Sequence, residues 1–213
     1  MSVSAARVEA LFSESGALRS GHFALKSGRH GDRYLEKFQV LQFPGAVGEL
    51  CAAFAERVRA PDGRPLVDLV VGPTTGGVIL AFETARQLGV RGLFAEEVKA
   101  ADGTARREFR RGFRIEPGSR VLLVDDILTT GGSLLAMLAP LEAAAAEVVL
   151  ASVLVDRSGG TREVVSPVSG RGYPVEALWS LDLSTYEPGP GSCPACAAGL
   201  PLEVPGASGT TAV

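Results

Sequence analysis

The run Val121-Leu122-Leu123-Val124-Asp125-Asp126-Ile127-Leu128-Thr129-Thr130-Gly131-Gly132-Ser133 decides how the rest of the chain is read. Four consecutive apolar residues read as a short strand covered on both faces. Two adjacent acids, Asp125 and Asp126, end it, and small hydroxyl and glycine residues then open a helix. The glycines let backbone approach an anion closely. Thr129, Thr130, Ser133 and the free amides of the helix offer donors to a phosphate. The acids cannot serve that phosphate; they suit hydroxyl donors or a cation beside it. A phosphate next to vicinal hydroxyls is a ribose phosphate. The plainer reading is a strand-to-helix turn whose Thr and Ser cap the helix. Against it stands the cost of paired acids at the end of a buried strand without a partner. No Lys follows the glycines, which excludes a Walker A loop, and the dinucleotide fingerprint is absent.

The flanking sequence repeats the theme of strand, polar turn and helix. Residues 67–71 form an apolar run followed by Gly72-Pro73-Thr74-Thr75-Gly76-Gly77 and a helix through about Leu88. Residues 92–95 and 148–155 supply further strands, a helix follows Ser133 to about Ala146, and Leu178 and Trp179 fall in a later strand. Pro140 inside that helix removes a backbone donor and predicts a kink. Alternation of this kind predicts right-handed crossovers and a mainly parallel sheet. Ligands of such sheets bind beyond the carboxyl ends of the strands, so residues 72–77, 125–133 and 156–160 are expected to converge. Toward the N-terminus, Val8, Leu11 and Phe12 predict a helix over residues 4–15, stopped by Gly16. Residues 21–43 read as two strands around a turn, and Val47, Leu50, Cys51, Phe54 and Val58 as a helical stripe.

The chain has 213 residues, 46% hydrophobic and 21% charged, enough for a packed globular core. Gly (26) and Pro (13) stay below the roughly 25–30% share of low-complexity chains. A formal net charge of −3 lacks the footprint of a nucleic-acid binder. The most apolar stretch, residues 134–155, carries Glu142 and Glu147, at about 2.5–3.5 kcal/mol each a poor membrane span. No signal peptide is readable around Arg7 and Glu9, and three cysteines make no disulfide framework, so a cytoplasmic protein is expected.

The 121–133 run resembles the phosphoribosyl-diphosphate (PRPP) motif of the type I phosphoribosyltransferases. Further segments resemble the orotate phosphoribosyltransferases: Gly21-His22-Phe23-Ala24-Leu25-Lys26-Ser27-Gly28-Arg29, residues 72–81, Val155-Asp156-Arg157-Ser158-Gly159-Gly160, and Cys193-Pro194-Ala195-Cys196-Ala197-Ala198-Gly199-Leu200-Pro201. The resemblance implies the type I fold: an α/β architecture with a mainly parallel core sheet flanked by helices and a small hood. It implies one domain over 1–204, with the hood from about 1–45 and 175–204 and the core about 46–174. Residues 205–213 read as a disordered tail.

The implied reaction joins orotate and PRPP to give orotidine 5-phosphate and diphosphate, a step of pyrimidine synthesis. The resemblance puts Asp125 and Asp126 on the ribose hydroxyls and Ile127, Leu128, Thr129, Thr130, Gly131, Gly132 and Ser133 around the 5-phosphate. Thr75 and Gly76 join Lys26 in PRPP binding, and Lys26, Thr129 and Arg157 fall to orotate. Mg²⁺ is implied as cofactor, held mainly by PRPP near Asp125 and Asp126 with no direct protein ligand set. A homodimer is implied, with flap 96–112 reaching the partner's active site, and neither nucleic acid nor membrane as partner. The alternatives are a purine-type phosphoribosyltransferase and a non-catalytic PRPP-binding regulator.

Two segments depart from the pattern. Residues 99–114 set Lys99, Arg106, Arg107, Arg110, Arg111 and Arg114 against Asp102 and Glu108, a basic excess on an acidic chain. That reversal predicts a flap over a charged diphosphate. The usual basic flap positions read Glu96, Glu97, Ala100 and Asp102, leaving Lys99, Arg106 and Arg107 as the catalytic candidates, and Gly76 stands where a lysine is common. Cys193 and Cys196 form a lone C-x-x-C. Zinc needs two more ligands, and Cys51, His22 and His30 show no matching spacing, so a structural turn with reduced thiols is expected.

Overall fold

The computed structural model describes residues 3–99, 103 and 105–205. Its helices are α1 (Ala5–Glu14), α2 (Lys37–Leu41), α3 (Pro44–Arg57), α4 (Gly76–Leu88), α5 (Gly132–Ala143) and α6 (Pro194–Ala197). Its strands are β1 (Leu18–Ala24), β2 (His30–Leu35), β3 (Leu69–Pro73), β4 (Arg91–Lys99), β5 (Ala105–Glu108), β6 (Arg120–Leu128), β7 (Glu147–Asp156), β8 (Glu163–Val165), β9 (Gly172–Ser180) and β10 (Thr185–Tyr186). The main sheet runs β5-β4-β3-β6-β7-β9-β8, and β1-β2-β10 form a second, small sheet. Strands β4, β3, β6, β7 and β9 are mutually parallel; β5 and β8 join as antiparallel edges.

The apolar runs are continuous because the sheet is buried on both faces. On β6, Leu122 and Val124 enter one core with Val8, Phe12, Leu50, Phe54 and Leu80. Val121 and Leu123 enter the other with Leu134, Met137, Leu138 and Leu141 of α5. Neighbouring β3 divides in the same way, Val70 to the first core and Leu69 and Val71 to the second. The period of two thus sorts each run into opposite layers.

The N-terminal expectation is met closely. Ser4 caps α1 by accepting from the Arg7 amide, and Gly16 leaves the helix at φ 72°. The expected hairpin is β1–β2, but β2 already begins at His30, and the short helix α2 after it was not foreseen. Pro140 lies inside α5, which continues to Ala143.

Two boundaries need correction. Asp125 and Asp126 do not end their strand; β6 runs two residues past them, paired with β7 as far as Leu128 and Asp156. The hood boundary expected near 175 falls inside β9, which stays in the main sheet to Ser180 because its residues 175–180 pair with β7. The C-terminal contribution to the small sheet is β10 and the residues behind it. There Ala24 donates to the Glu203 carbonyl and Glu203 to that of His22, both at 2.8 Å. Most of the expected tail, residues 206–213, lies outside the described residues, as do Ala100 and Asp102 of the flap. Among the described residues no helix is long and apolar enough to cross a membrane.

Candidate active site

Strands β3, β6 and β7 are neighbours, so the polar turns that follow them share one edge of the sheet. Asp125 and Asp126 are both buried there, about 5% and 4% exposed. The Asp126 amide donates to Asp125 Oδ1 at 2.8 Å, and the Ile127 amide to Asp126 Oδ1 at 2.8 Å. Ser133 stands in the first turn of α5. Burial, reinforced by the neighbouring Asp126 charge, pushes the Asp125 carboxyl up to about 6, and Ser133 and Lys37 offset this only in part.

The turn from β3 to α4 closes on these acids through glycines. A Cβ at Gly72 would stand 2.3 Å from the Gly77 carbonyl oxygen, and one at Gly77 2.5 Å from the Pro73 ring. A Cβ at Gly76 would stand 2.0 Å from Asp126 Oδ2. A side chain at position 76 would therefore have to displace the Asp126 carboxylate. A lysine from another element supplies positive charge. Lys37, on α2, meets Asp126 at 2.8 Å to Oδ1 and 2.7 Å to Oδ2. Nothing in the sequence marked Lys37, since its helix is five residues long and its partner lies 89 positions away.

The two acids on β6 are followed by the turn into α5. Gly131 starts α5 in the left-handed region at φ 79°, and no side chain caps that helix. Thr75 likewise precedes α4 without a capping hydrogen bond. Two helices of 12 and 13 residues thus present uncapped amide ends at one edge, with Thr129 and Thr130 exposed beside them. Side-chain capping, the plainer reading of the 129–133 turn, is not what Thr129, Thr130 and Ser133 do.

The flap folds as a β4–β5 hairpin on the sheet edge, with Glu97 opposite Arg107 and Val98 opposite Arg106. It separates the three basic candidates. Arg107 is mostly buried and donates to Thr74 Oγ1 at 2.9 Å, next to Thr75. Arg106 is exposed and paired with Glu108, and Lys99 is exposed at the end of β4. A cavity of about 360 Å³ lies between this hairpin and α5, lined by Glu97, Arg106, Arg107, Gly132 and Ser133.

A second cavity, also about 360 Å³, opens beyond β7 among Asp156, Arg157, Gly159, Gly160, Leu181 and Asp182. Asp156 Oδ1 accepts from the Ser158 amide and hydroxyl and shapes that loop. The Arg157 amide donates to the Leu128 carbonyl at 2.7 Å, which ties this turn to the 125–133 turn. The three expected segments do converge. Lys26 lies in the exposed turn between β1 and β2. Arg29 anchors that turn to β10 through the Thr185 hydroxyl and carbonyl, both at 2.9 Å, and through Glu187.

A family model described as a phosphoribosyl transferase domain matches residues 41–173. An orotate phosphoribosyltransferase of Pelotomaculum thermopropionicum is 42% identical over 199 residues, covering 93% of this chain and 95% of its own. The chain belongs to the orotate phosphoribosyltransferase family. A relative of that name from Acidithiobacillus ferrooxidans is 41% identical over 97% of this chain and 99% of its own. Among solved structures, orotate phosphoribosyltransferase from Aeropyrum pernix superposes with a TM-score of 0.62 at 24% identity, covering 82% of this chain and 93% of that one. An adenine phosphoribosyltransferase from Trypanosoma brucei reaches the same 0.62 at 19% identity, over 80% and 79%. At those identities the superpositions speak for the phosphoribosyltransferase fold alone, while the sequence relatives place the chain in the orotate branch of it.

Proposed function

We propose that this phosphoribosyltransferase moves the phosphoribosyl group of PRPP to a ring nitrogen of orotate, releasing diphosphate and giving orotidine 5-phosphate. The observation that carries the reading is the buried Asp125–Asp126 pair beside the uncapped start of α5. Two acceptor carboxylates suit the 2- and 3-hydroxyls of a ribose, and the amides of residues 129–133 suit its 5-phosphate. As the bond from the anomeric carbon to diphosphate breaks, positive charge grows on the ribose ring, and the two carboxylates favour it electrostatically. Charge leaves with the diphosphate toward residues 72–77, where Arg107 and the amide end of α4 offset it. Catalysis is then a matter of positioning and field rather than of a covalent nucleophile.

Mg²⁺ fits this corner, which offers the carboxylate oxygens of two buried acids: Asp126 is paired with Lys37, and Asp125 is pushed toward protonation by burial and by its neighbour's charge. Asp125 and Asp126 would hold the Mg²⁺–PRPP complex, and the ion would supply neutralisation of the leaving diphosphate. Orotate falls to the cavity beyond β7, with Arg157 and Thr129 for its carboxylate and polar edge and Lys26 reaching from the hood.

A homodimer belongs to the same proposal. Phe82 is 68% exposed, and with Ile79, Val78, Leu93, Phe94 and Phe113 it lines an apolar groove of about 480 Å³ that shares no residue with the carboxylate corner. Arg107 serves its own chain's diphosphate loop, and the exposed Arg106 and Lys99 remain to reach a partner's site. A cytoplasmic setting completes the reading. Loss of orotate absorbance on adding PRPP and Mg²⁺ tests it, with hypoxanthine, xanthine and adenine as competing bases. Turnover of a purine base in place of orotate overturns the base assignment; binding of PRPP without turnover of any base overturns the enzymatic one.

A further inference from the structure

The C-x-x-C of α6 does not stand alone. Folding carries it to the two histidines of the small sheet, which corrects the expectation that no further ligands accompany it; the thiols themselves are free, as expected. Cys193 and Cys196 Sγ, His22 Nε2 and His30 Nδ1 all lie within 4.8 Å of one another. His22 Nε2 is 3.7 Å from Cys193 Sγ, 3.6 Å from Cys196 Sγ and 2.8 Å from His30 Nδ1; Cys196 Sγ is 3.3 Å from His30 Nδ1. Spacing along the chain concealed this, because the histidines come from two antiparallel strands and the cysteines from 171 positions downstream of His22.

We propose that His22, His30, Cys193 and Cys196 form a tetrahedral Zn²⁺ site that fastens the small sheet to the C-terminal segment. Zinc bonds of about 2.0–2.1 Å to nitrogen and 2.3 Å to sulfur imply tetrahedron edges of roughly 3.3–3.8 Å. The three nitrogen–sulfur distances given above fall in that range, and the two ring nitrogens, at 2.8 Å, have to part by about 0.5 Å to admit the ion. The tautomer of His22 agrees as well. Its Nδ1 lies 2.9 Å from the Leu200 carbonyl, which can only accept, so Nδ1 carries the proton and Nε2 turns a lone pair inward. A ring held from behind by a carbonyl is the arrangement that orients a ligating histidine. Two thiolates neutralise a dication, which makes the set tolerable where Cys193 is about 1%, His22 5% and His30 8% exposed. Thiolate and imidazole select zinc over the oxygen-seeking Mg²⁺.

The site has structural work to do. A three-stranded sheet whose third strand is two residues long has little stability of its own. The Cys51 thiol is a built-in control, buried on α3 where it faces α4, pushed up to about 12 by that burial, and donating to the Leu80 carbonyl instead. The competing accounts of the cluster are a plain His22–His30 hydrogen bond beside free thiols, or a Cys193–Cys196 disulfide.

Metal analysis of the full chain, purified with a thiol reductant from zinc-supplemented medium, is expected to give one zinc per chain. Replacing zinc by Co²⁺ is expected to give the intense visible bands of a tetrahedral ion together with a thiolate-to-cobalt charge-transfer band. Cys196→Ser and His30→Asn should each weaken Co²⁺ at least about 100-fold, beyond the 10–100-fold effect of changes around a metal's ligands. Cys51→Ser should leave the spectrum unchanged. Stripping zinc from the unmutated chain should lower its melting temperature by several degrees, a measurement independent of how the variants fold. Substoichiometric zinc, weak octahedral cobalt bands, or a disulfide between Cys193 and Cys196 in place of metal would each overturn the proposal.

Discussion

Lys37 holds Asp126 by both carboxylate oxygens, at 2.8 and 2.7 Å, so a lysine from a five-residue helix supplies the positive charge that faces the paired acids. The ammonium is about one-third exposed while its partner is buried, so water screens the pair from one side only. Lys37→Met should leave Asp126 uncompensated beside Asp125. The expected result is a loss of about 1–2 kcal/mol in stability, below the 3–5 kcal/mol of a fully buried pair. The KM for PRPP should rise about tenfold or more. Lys37→Arg, which keeps the charge, should recover most of the stability in chemical denaturation.

Asp125 carries a pH signature of defined sign. Its folded value of about 6 lies above the roughly 3.9 of an unfolded aspartate. Between those values the folded chain holds a proton that the unfolded chain has released. This contribution to stability is full below about pH 4 and is lost as pH rises through about 6. Asp125→Asn should therefore raise the melting temperature at pH 7.5, by about 1–3 kcal/mol in stability terms, and flatten the profile between pH 4 and 6. A variant less stable than the parent at both pH 5 and pH 7.5 would contradict this.

The same variant should lose turnover, since an amide replaces one acceptor oxygen by a donor NH₂ and carries no negative charge to favour a cationic ribose. For the parent enzyme, kcat/KM for PRPP should fall as pH drops below about 6, where Asp125 takes up its proton. Asp125→Asn combined with Asp126→Asn should abolish turnover with the circular dichroism of the parent retained. Near-normal activity of that double variant would sink the site assignment.

Gly76 is expected to tolerate nothing larger. Gly76→Ala sets a methyl 2.0 Å from Asp126 Oδ2, and Gly76→Lys, which restores the lysine common at this position, sets the same Cβ there. Both should cost about 1–3 kcal/mol by overpacking and reduce turnover at least about 100-fold. Steady-state kinetics of the two substitutions should therefore look alike, whereas a gain of activity in Gly76→Lys would show that the loop opens to admit it.

Arg107 and Arg106 should separate in kinetics. Arg107 is mostly buried against Thr74, and its removal should lower kcat/KM for PRPP about 10–100-fold through loss of charge beside the diphosphate loop. Arg106, exposed and paired with Glu108, is free to serve a partner's site, so Arg106→Ala should lower turnover by more than the loss of a surface ion pair explains. Mixing with a chain that lacks a different site residue should restore that activity, and a change below about fivefold would show that Arg106 is a surface ion pair alone.

Local pattern was enough for the sheet. The runs at 67–71, 121–124 and 148–155 could only be two-sided strands, and the polar turns after them had to share an edge once those strands lay side by side. The adjacent acids and the glycine turn of 129–133 were legible for the same reason: strand, turn and helix start are contiguous, so residue order dictates their geometry. Even Gly76 announced itself as a departure.

What local pattern could not decide were pairings between elements far apart in the chain. Lys37 meets Asp126 across 89 positions and Cys193 meets His22 across 171, and no periodicity records such a meeting. The extent of β6 escaped for a related reason, since Asp125 and Asp126 are polar but their backbones are held in the sheet by β7. Order along the chain sets what each segment prefers. Only packing of the whole chain sets which charge, thiol or ring a buried group will find beside it, because burial makes that partner obligatory without saying where it comes from.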